Sequence, residues 1–298
     1  MFYRLSTYLN YTYYDLKTQR IRLLTPLPSP TYKKMSYVLV SQVCKKDFNM
    51  FLVSYHSFVR HCGYAEQTYI IDDGTLTAEH HLILTKQISN LKITNCSNII
   101  KSPFPSKLCW ERLLLISELI KQHYVIQLDA DTISLGKLDQ VISCIESNQS
   151  FTQGTALDIG QQISDCQDIV RIMSKSRTQH VQVLAEQNLP TEGCKYVRGC
   201  AGFAGYGIKS FSLEQLIVFF NHMNASVGTL WNTWGCDQVA SNFLVACSNN
   251  AKVLDTNKYV IYNSTANLEQ AIFVHYIGTC RFKKGNYLQN SKEFVATL

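Results

Sequence analysis

Short apolar runs alternate along the chain with stretches whose apolar positions recur at helical spacing. Tyr37 to Val43 is an apolar strand candidate, and Asp47 to Cys62 reads as an amphipathic helix begun by an Asp cap. Gln67 to Ile71 is a second strand, running into Asp72-Asp73-Gly74. Leu108 to Lys121 predicts a helix feeding a further strand, and that strand, Tyr124 to Leu128, ends in Asp129-Ala130-Asp131-Thr132 before a turn at Gly136. This alternation predicts an α/β domain with a mostly parallel sheet, helices on both faces and a ligand site at the carboxyl ends of the strands. Ser41-Gln42-Val43, Asp72-Asp73 and Asp129-Asp131 fall at such ends.

Downstream the pattern is less regular. Phe151 to Leu157 predicts a strand, Ser164 to Ser174 a helix, and Gln179 to Lys195 a polar, loop-rich segment. Arg198 to Gly205 is rich in small residues, which suits close approach of backbone to a ligand or, equally, a tightly packed strand and turn. Phe211 to Met223 predicts a helix capped by Ser212, and Trp234 to Asn242 a loop entering another helix. Phe273 to Arg281 places a histidine at a strand end, then a glycine, then a cation. Residues 25–34 are a proline-rich break that divides an N-terminal extension, 1–34, from a single catalytic domain, 35–298.

With 46% hydrophobic and 17% charged residues, a chain of 298 residues is globular and long enough for one large domain or two smaller ones. No apolar stretch is long enough to span a membrane, and the tyrosine-rich segment Met1 to Leu24 lacks the apolar core of a signal peptide. The 11 cysteines are singletons without Cys-X-X-Cys spacing. That argues against a zinc ribbon or a thioredoxin-like motif and fits reduced thiols in a cytoplasmic protein. Asn-X-Ser/Thr triplets at Asn10, Asn95, Asn148, Asn224 and Asn263 carry little weight without a secretory signal. The net charge of +6 is thinly spread, in pairs such as Lys45-Lys46 and Lys283-Lys284. This distribution speaks against nucleic acid and for a basic cleft that takes phosphates. The basic balance and the aromatic extension also permit peripheral membrane contact or homo-oligomerisation.

Asp129 and Asp131, one residue apart, share a face if the strand continues through them. Two hard oxygen ligands suit Mg²⁺ or Mn²⁺, which leave positions for water and substrate phosphates. A plain polar turn would also explain the pair. So would a haloacid-dehalogenase-type phosphatase, with Asp129 as nucleophile and Asp131 as acid/base. That motif, however, takes a small polar residue or Val where this chain has Ile133, and it opens its domain rather than lying mid-chain. A metal-bridged nucleotide donor site is the better fit. Asp237-Gln238, near a helix N-terminus, either cap that helix or serve the site. His275 can complete a Mn²⁺ site, and Arg281 can bind a diphosphate through paired hydrogen bonds.

These segments resemble the GT-A-fold, metal-dependent glycosyltransferases, most closely the family-8-like enzymes that include glycogenin and bacterial galactosyl- and glucosyltransferases. Lys107 to Trp110 with Val125 to Thr132 looks like the donor-contacting lysine, helix and strand leading to the Asp-X-Asp motif. Asp237-Gln238 with Asn242 looks like the segment beside the transferred sugar. His275 to Arg281 looks like the terminal His-X-X-Gly-X-X-Lys element, with arginine for lysine. Over residues 37–287 the resemblance implies a Rossmann-like GT-A nucleotide-diphospho-sugar transferase fold. It implies transfer of a hexose from UDP-glucose or UDP-galactose to a hydroxyl of a glycan, a lipid-linked acceptor or a protein. Asp129, Asp131 and His275 would hold Mn²⁺ or Mg²⁺, with Lys107 and Arg281 around the phosphates. Ser41 to Phe48 and Asp73 would hold the nucleoside, Phe48 by stacking on the base. Arg198 and Gly278 would complete the donor contacts, and Asp237 and Gln238 would be catalytic. Arg198 to Phe203 departs from the family's Asn-Ala-Gly pattern, and Asp72-Asp73-Gly74 is closer to the inverting family-2 enzymes. Retention and inversion therefore both stand, as does a GT-A-like domain that binds partners without catalysis.

Overall fold

Alternate residues of the first strand face two different cores. The structure, a computed structural model, describes residues 2–24, 33–106, 108–263 and 265–298. In strand β1 (Val38–Val43), Leu39 and Val43 join a core with Phe51 and Tyr55 of helix α2 (Phe48–Cys62). Val38 and Val40 join another core with Trp110 and Leu113 of α4 (Trp110–Leu119). A strand buried on both faces needs apolar residues at nearly every position, which explains the unbroken run in the sequence.

Before α2 comes helix α1 (Phe2–Thr18), and after it β2 (Gln67–Asp72), α3 (Ala78–Gln87) and β3 (Leu91–Asn95). Following α4 are β4 (Val125–Leu128), β5 (Thr132–Ser134), α5 (Asp139–Glu146), β6 (Phe151–Gly154), β7 (Ser164–Asp165) and α6 (Cys166–Met173). Then come α7 (Val181–Glu186), β8 (Lys195–Tyr196), β9 (Gly199–Tyr206), α8 (Leu213–Val227) and α9 (Cys236–Cys247). The chain closes with β10 (Lys252–Leu254), β11 (Tyr259–Ile261), β12 (Phe273–His275) and α10 (Asn286–Ala296). The central sheet has the order β3-β2-β1-β4-β9-β6-β10 and is parallel except for β9, which runs against β4 and β6. A smaller sheet, β11-β12-β5, lies beside it, with β12 antiparallel to β5. The mostly parallel α/β sheet predicted from the sequence is thus present.

The expected boundary at Met35 does not separate two bodies. Tyr14 and Ile21 are buried in the same core as Met35 and Phe51. The Tyr14 ring stacks on Tyr287 at 4.9 Å and its hydroxyl donates to Ser291 at 2.9 Å. Gln87 bonds His56 at 2.8 Å and donates to the Ile21 carbonyl at 2.9 Å. Burying side chains of this size is worth about 1.5–3 kcal/mol each, enough to dock α1. The proline-rich break lies outside the described residues except for Lys33 and Lys34.

Several local expectations shift. Residues 179–195 hold α7 and β8, because Val181 and Ala185 point into the second core. α4 begins at Trp110 because Cys109 takes a left-handed φ of 65°. Ser164 and Asp165 pair with β8 before α6 starts, and β6 stops at Gly154. Asp47 stands at the cap position of α2, yet its carboxylate makes no cap bond. Ser212, by contrast, caps α8 in a reciprocal box with Gln215. The 11 cysteines are all free. Among the described residues no helix is long and apolar enough to cross a membrane.

Candidate active site

The chain leaves the sheet at Leu128, turns through Asp129 to Asp131 and returns as β5. The two carboxylates therefore converge through a turn, not along one face of a strand as the spacing alone suggested. The turn is clamped on both sides. Asp129 donates its N–H to the Gly202 carbonyl at 2.8 Å. Its own carbonyl accepts from Ser54 and Thr132, each at 3.0 Å. Ser41 donates to the Leu128 carbonyl at 2.6 Å and so fixes the end of β4 to β1.

Pairing of β12 with β5 sets His275 opposite Thr132, and Tyr276 donates its N–H to the Asp131 carbonyl at 2.8 Å. His275 Nε2 then lies 3.0 Å from Asp131 Oδ1 and 4.0 Å from Asp129 Oδ2. One ligand atom from each of these three residues fits within 4.8 Å of the others. The imidazole lies against Gly202, where a Cβ would overlap its ring. Its Nδ1 faces the Cys200 thiol at 3.2 Å. The small residues of β9 thus serve a side chain of a neighbouring strand.

Each carboxylate spends its other oxygen on an arginine. Arg112 bonds Asp129 and reaches Asp237 at 2.9 Å. Arg281 bonds Asp131 and reaches Asp47 at 3.2 Å. Arg281 also donates to the Tyr276 carbonyl at 3.1 Å and to the Tyr11 hydroxyl at 2.6 Å. Four carboxylates against two guanidinium groups leave two negative charges with His275 neutral, the amount a divalent cation offsets. Arginines on the outer oxygens orient the inner ones, as partners of metal ligands do. The donor set of two carboxylates and one imidazole fits Mn²⁺ or Mg²⁺.

Burial alone would raise the Asp131 pKa, but Arg281 and then His275 outweigh it and hold the carboxyl well below the usual range. For Asp237 burial prevails over Arg112, and its affinity for a proton rises. Burial opposes the charged form of His275, while Cys200 and Asp131 favour it strongly enough to raise its pKa well above the ordinary value. A cation there must therefore displace a proton.

These groups line a cleft of about 1240 Å³. Asn10, Tyr11, Gln42, Asp47, Asp73, Gln182, Arg198, Trp234, Asp237 and Gln238 line it. Gly278, at a left-handed φ of 47°, also lines it. Asp73 is exposed, and its carboxylate accepts from the Thr75 N–H at 3.0 Å and hydroxyl at 2.6 Å. Arg198 is neutralised by the buried carboxylate of Glu186, to which its Nε donates at 2.7 Å.

Two expected nucleoside contacts do not reach the cleft. Ser41 is buried beneath it, and Phe48 is fully buried, its ring 4.3 Å from His80 with Arg22 over it at 5.5 Å. No face of Phe48 is left for a base. Lys107 lies outside the described residues. The structure adds Arg112, Asp47 and Tyr11. A lone arginine beside the apolar run Leu113 to Ile116 was a signal for Arg112, since a charge on a buried helix needs a partner. Nothing local marks Tyr11.

No protein-family profile matches the chain, and no curated protein does. Solved structures do match. An apo structure of WbbM, a bifunctional glycosyltransferase, has 13% identity over 91% of this chain and 51% of its own, with a TM-score of 0.55. The galactosyltransferase LgtC, in complex with donor and acceptor sugar analogues, has 10% identity over 88% and 96%, with a TM-score of 0.53. Apo GlyE of Streptococcus pneumoniae has 13% identity over 88% and 60%, with a TM-score of 0.52. The chain spans about half the length of WbbM. At these identities the likeness is one of fold, and the fold is GT-A.

Proposed function

We propose that the chain is a glycosyltransferase. In this reading it moves a hexose from a UDP-sugar, glucose or galactose, to a hydroxyl acceptor, with Mn²⁺ or Mg²⁺ held by Asp129, Asp131 and His275. The observation that carries the reading is the divided use of the two carboxylates: one oxygen of each is tied to an arginine, and the other is turned toward His275 inside a cleft of the GT-A fold.

A divalent ion bound there would neutralise the charge that develops on the departing nucleoside diphosphate. Gln42 and Asp73, which line the cleft at the carboxyl ends of β1 and β2, would take the nucleoside. Every nitrogen of the buried Arg281 is already bonded, to Asp131, Asp47, Tyr11 and the Tyr276 carbonyl, so the paired contact to a diphosphate expected of it is not free. Lys107, by its place in the sequence, would supply positive charge for the phosphates beside the cation. Asp237 and Gln238 stand at the first turn of α9 and line the cleft, and would face the transferred sugar. In a retaining reaction they orient that sugar; in an inverting one Asp237, its proton affinity raised by burial, is the general base. The phosphatase reading loses ground because β4 follows three parallel strands instead of opening the domain.

Calorimetric titration with UDP, GDP and their sugar conjugates, in Mn²⁺ and then in EDTA, tests the proposal. Mn²⁺-dependent binding of a uridine nucleotide is the expected result. Binding of none of them, or binding indifferent to EDTA, would leave the transferase reading without its foundation.

A further inference from the structure

One aromatic ring at the cleft has no part in the chemistry so far. Trp234 is 75% exposed, while Trp110 and Trp231 are fully buried. Leaving an indole in water forgoes much of the largest apolar gain any side chain offers. Its position is built by the local backbone. The Thr233 hydroxyl donates to the Leu230 carbonyl at 2.7 Å, and Gly235, at a φ of 98°, turns the chain into α9. One turn thus aims Asp237 inward toward Arg112 and leaves Trp234 at the rim.

Groups of complementary kind line the same cleft. Leu157 adds a second apolar surface, 53% exposed. The Gln182 and Gln238 amides, which also line the cleft, meet at 3.5 Å. An apolar plate with amides beside it matches a pyranose, whose ring presents a face of C–H bonds and a rim of hydroxyls. Asp237 and Gln238 follow Trp234 in the same turn and Gln238 meets Gln182, whereas Tyr11 and Asp47 join the candidate cation site through Arg281. A donor whose nucleoside lies at Asp73 would direct its sugar toward Asp237 and leave Trp234 beyond it.

We infer that Trp234 is the stacking platform of an acceptor subsite and that the acceptor group is itself a sugar ring, on whatever carrier. This rests on the glycosyltransferase reading. The acceptor hydroxyl oxygen would bond to the anomeric carbon of the donor sugar as the bond from that carbon to the phosphate oxygen breaks. The nucleoside diphosphate leaves with the electron pair, and the hydroxyl proton passes to a base or to water.

Iodide quenching of tryptophan emission reads Trp234 alone, because the other two indoles are buried. In wild type with UDP and Mn²⁺, we expect at least one of methyl β-glucoside, methyl β-galactoside, lactose and maltose to shield Trp234 from iodide. Trp234→Ala should remove the quenchable emission and raise the KM for that sugar about tenfold, while calorimetric UDP affinity stays that of the wild type. Shielding by none of the sugars in a protein that binds UDP overturns the inference, as does an unchanged acceptor KM in Trp234→Ala. Failure of UDP to bind the wild type counts against the donor reading instead, so the two failures are separable.

Discussion

Arg112 and Arg281 stand on opposite sides of the same candidate cation site, and each joins one of its carboxylates to a second aspartate outside it. Arg112 lies on α4, and its partners are at the end of β4 and in the first turn of α9, all packed against the central sheet. Arg281 follows β12 in an irregular segment, and its partners come from the turn at Asp131, from Asp47 before α2 and from Tyr11 of α1. The same electrostatic task is done once by a rigid scaffold and once by remote pieces of chain drawn together. The first bridge needs only the sheet; the second also needs α1 to be docked.

Removing the shared centre should have the largest effect. Asp131→Ala deletes a candidate ligand and leaves Arg281 without its main partner, so metal-dependent turnover should fall by about a thousandfold or more. Kinetics with and without EDTA check this, and an equally active variant would sink the site assignment. Arg112→Met should strike the scaffold bridge through stability, by about 3–5 kcal/mol in urea unfolding, because Asp129 and Asp237 would be left without their cation. A small loss there would show that the bridge is not structural.

Acid should act on the other side first. Burial lowers the His56 pKa to about 4, although the hydrogen bond to Gln87 opposes the shift. The neutral ring is the folded form, so its contribution is whole above the unfolded value of about 6.5 and is lost as pH falls toward 4. That loss amounts to roughly 3 kcal/mol at most. Because Gln87 also holds the Ile21 carbonyl, the segment behind α1 should loosen with it. Thermal melts of His56→Gln between these pH values should show a flatter acid limb than the wild type. The smallest effect is expected from Tyr11→Phe, which removes the hydroxyl that Arg281 meets: UDP affinity should weaken about threefold to tenfold, with uridine affinity unchanged. Equal weakening toward uridine would mean that Tyr11 acts on the nucleoside and not through Arg281.

What was legible in the sequence follows the same division. β1, α2, β2 and β4 announce themselves because their apolar periodicity is local, and the turn at Asp129 to Asp131 lies where such a strand must end. Phe48 was misplaced although its pattern held the answer: Phe48, Phe51, Leu52 and Tyr55 recur at helical spacing, which turns Phe48 inward. Asp47 read as a cap because its true partner, Arg281, is 234 residues away. Tyr11 was invisible for the same reason. Long-range polar contacts leave no periodicity, so the Arg281 side of the cleft had to be seen in three dimensions.

The antiparallel pairing of β12 with β5 has a consequence for how the protein comes into being. His275 meets Asp131 across 144 residues and Arg281 meets Tyr11 across 270. Loops of that length are slow to close and contribute nothing until they do. During synthesis the central sheet can assemble through β10 while the cleft still lacks an imidazole and a guanidinium. Competence to bind a donor should therefore appear abruptly, only after the last strand and the segment behind it have left the ribosome.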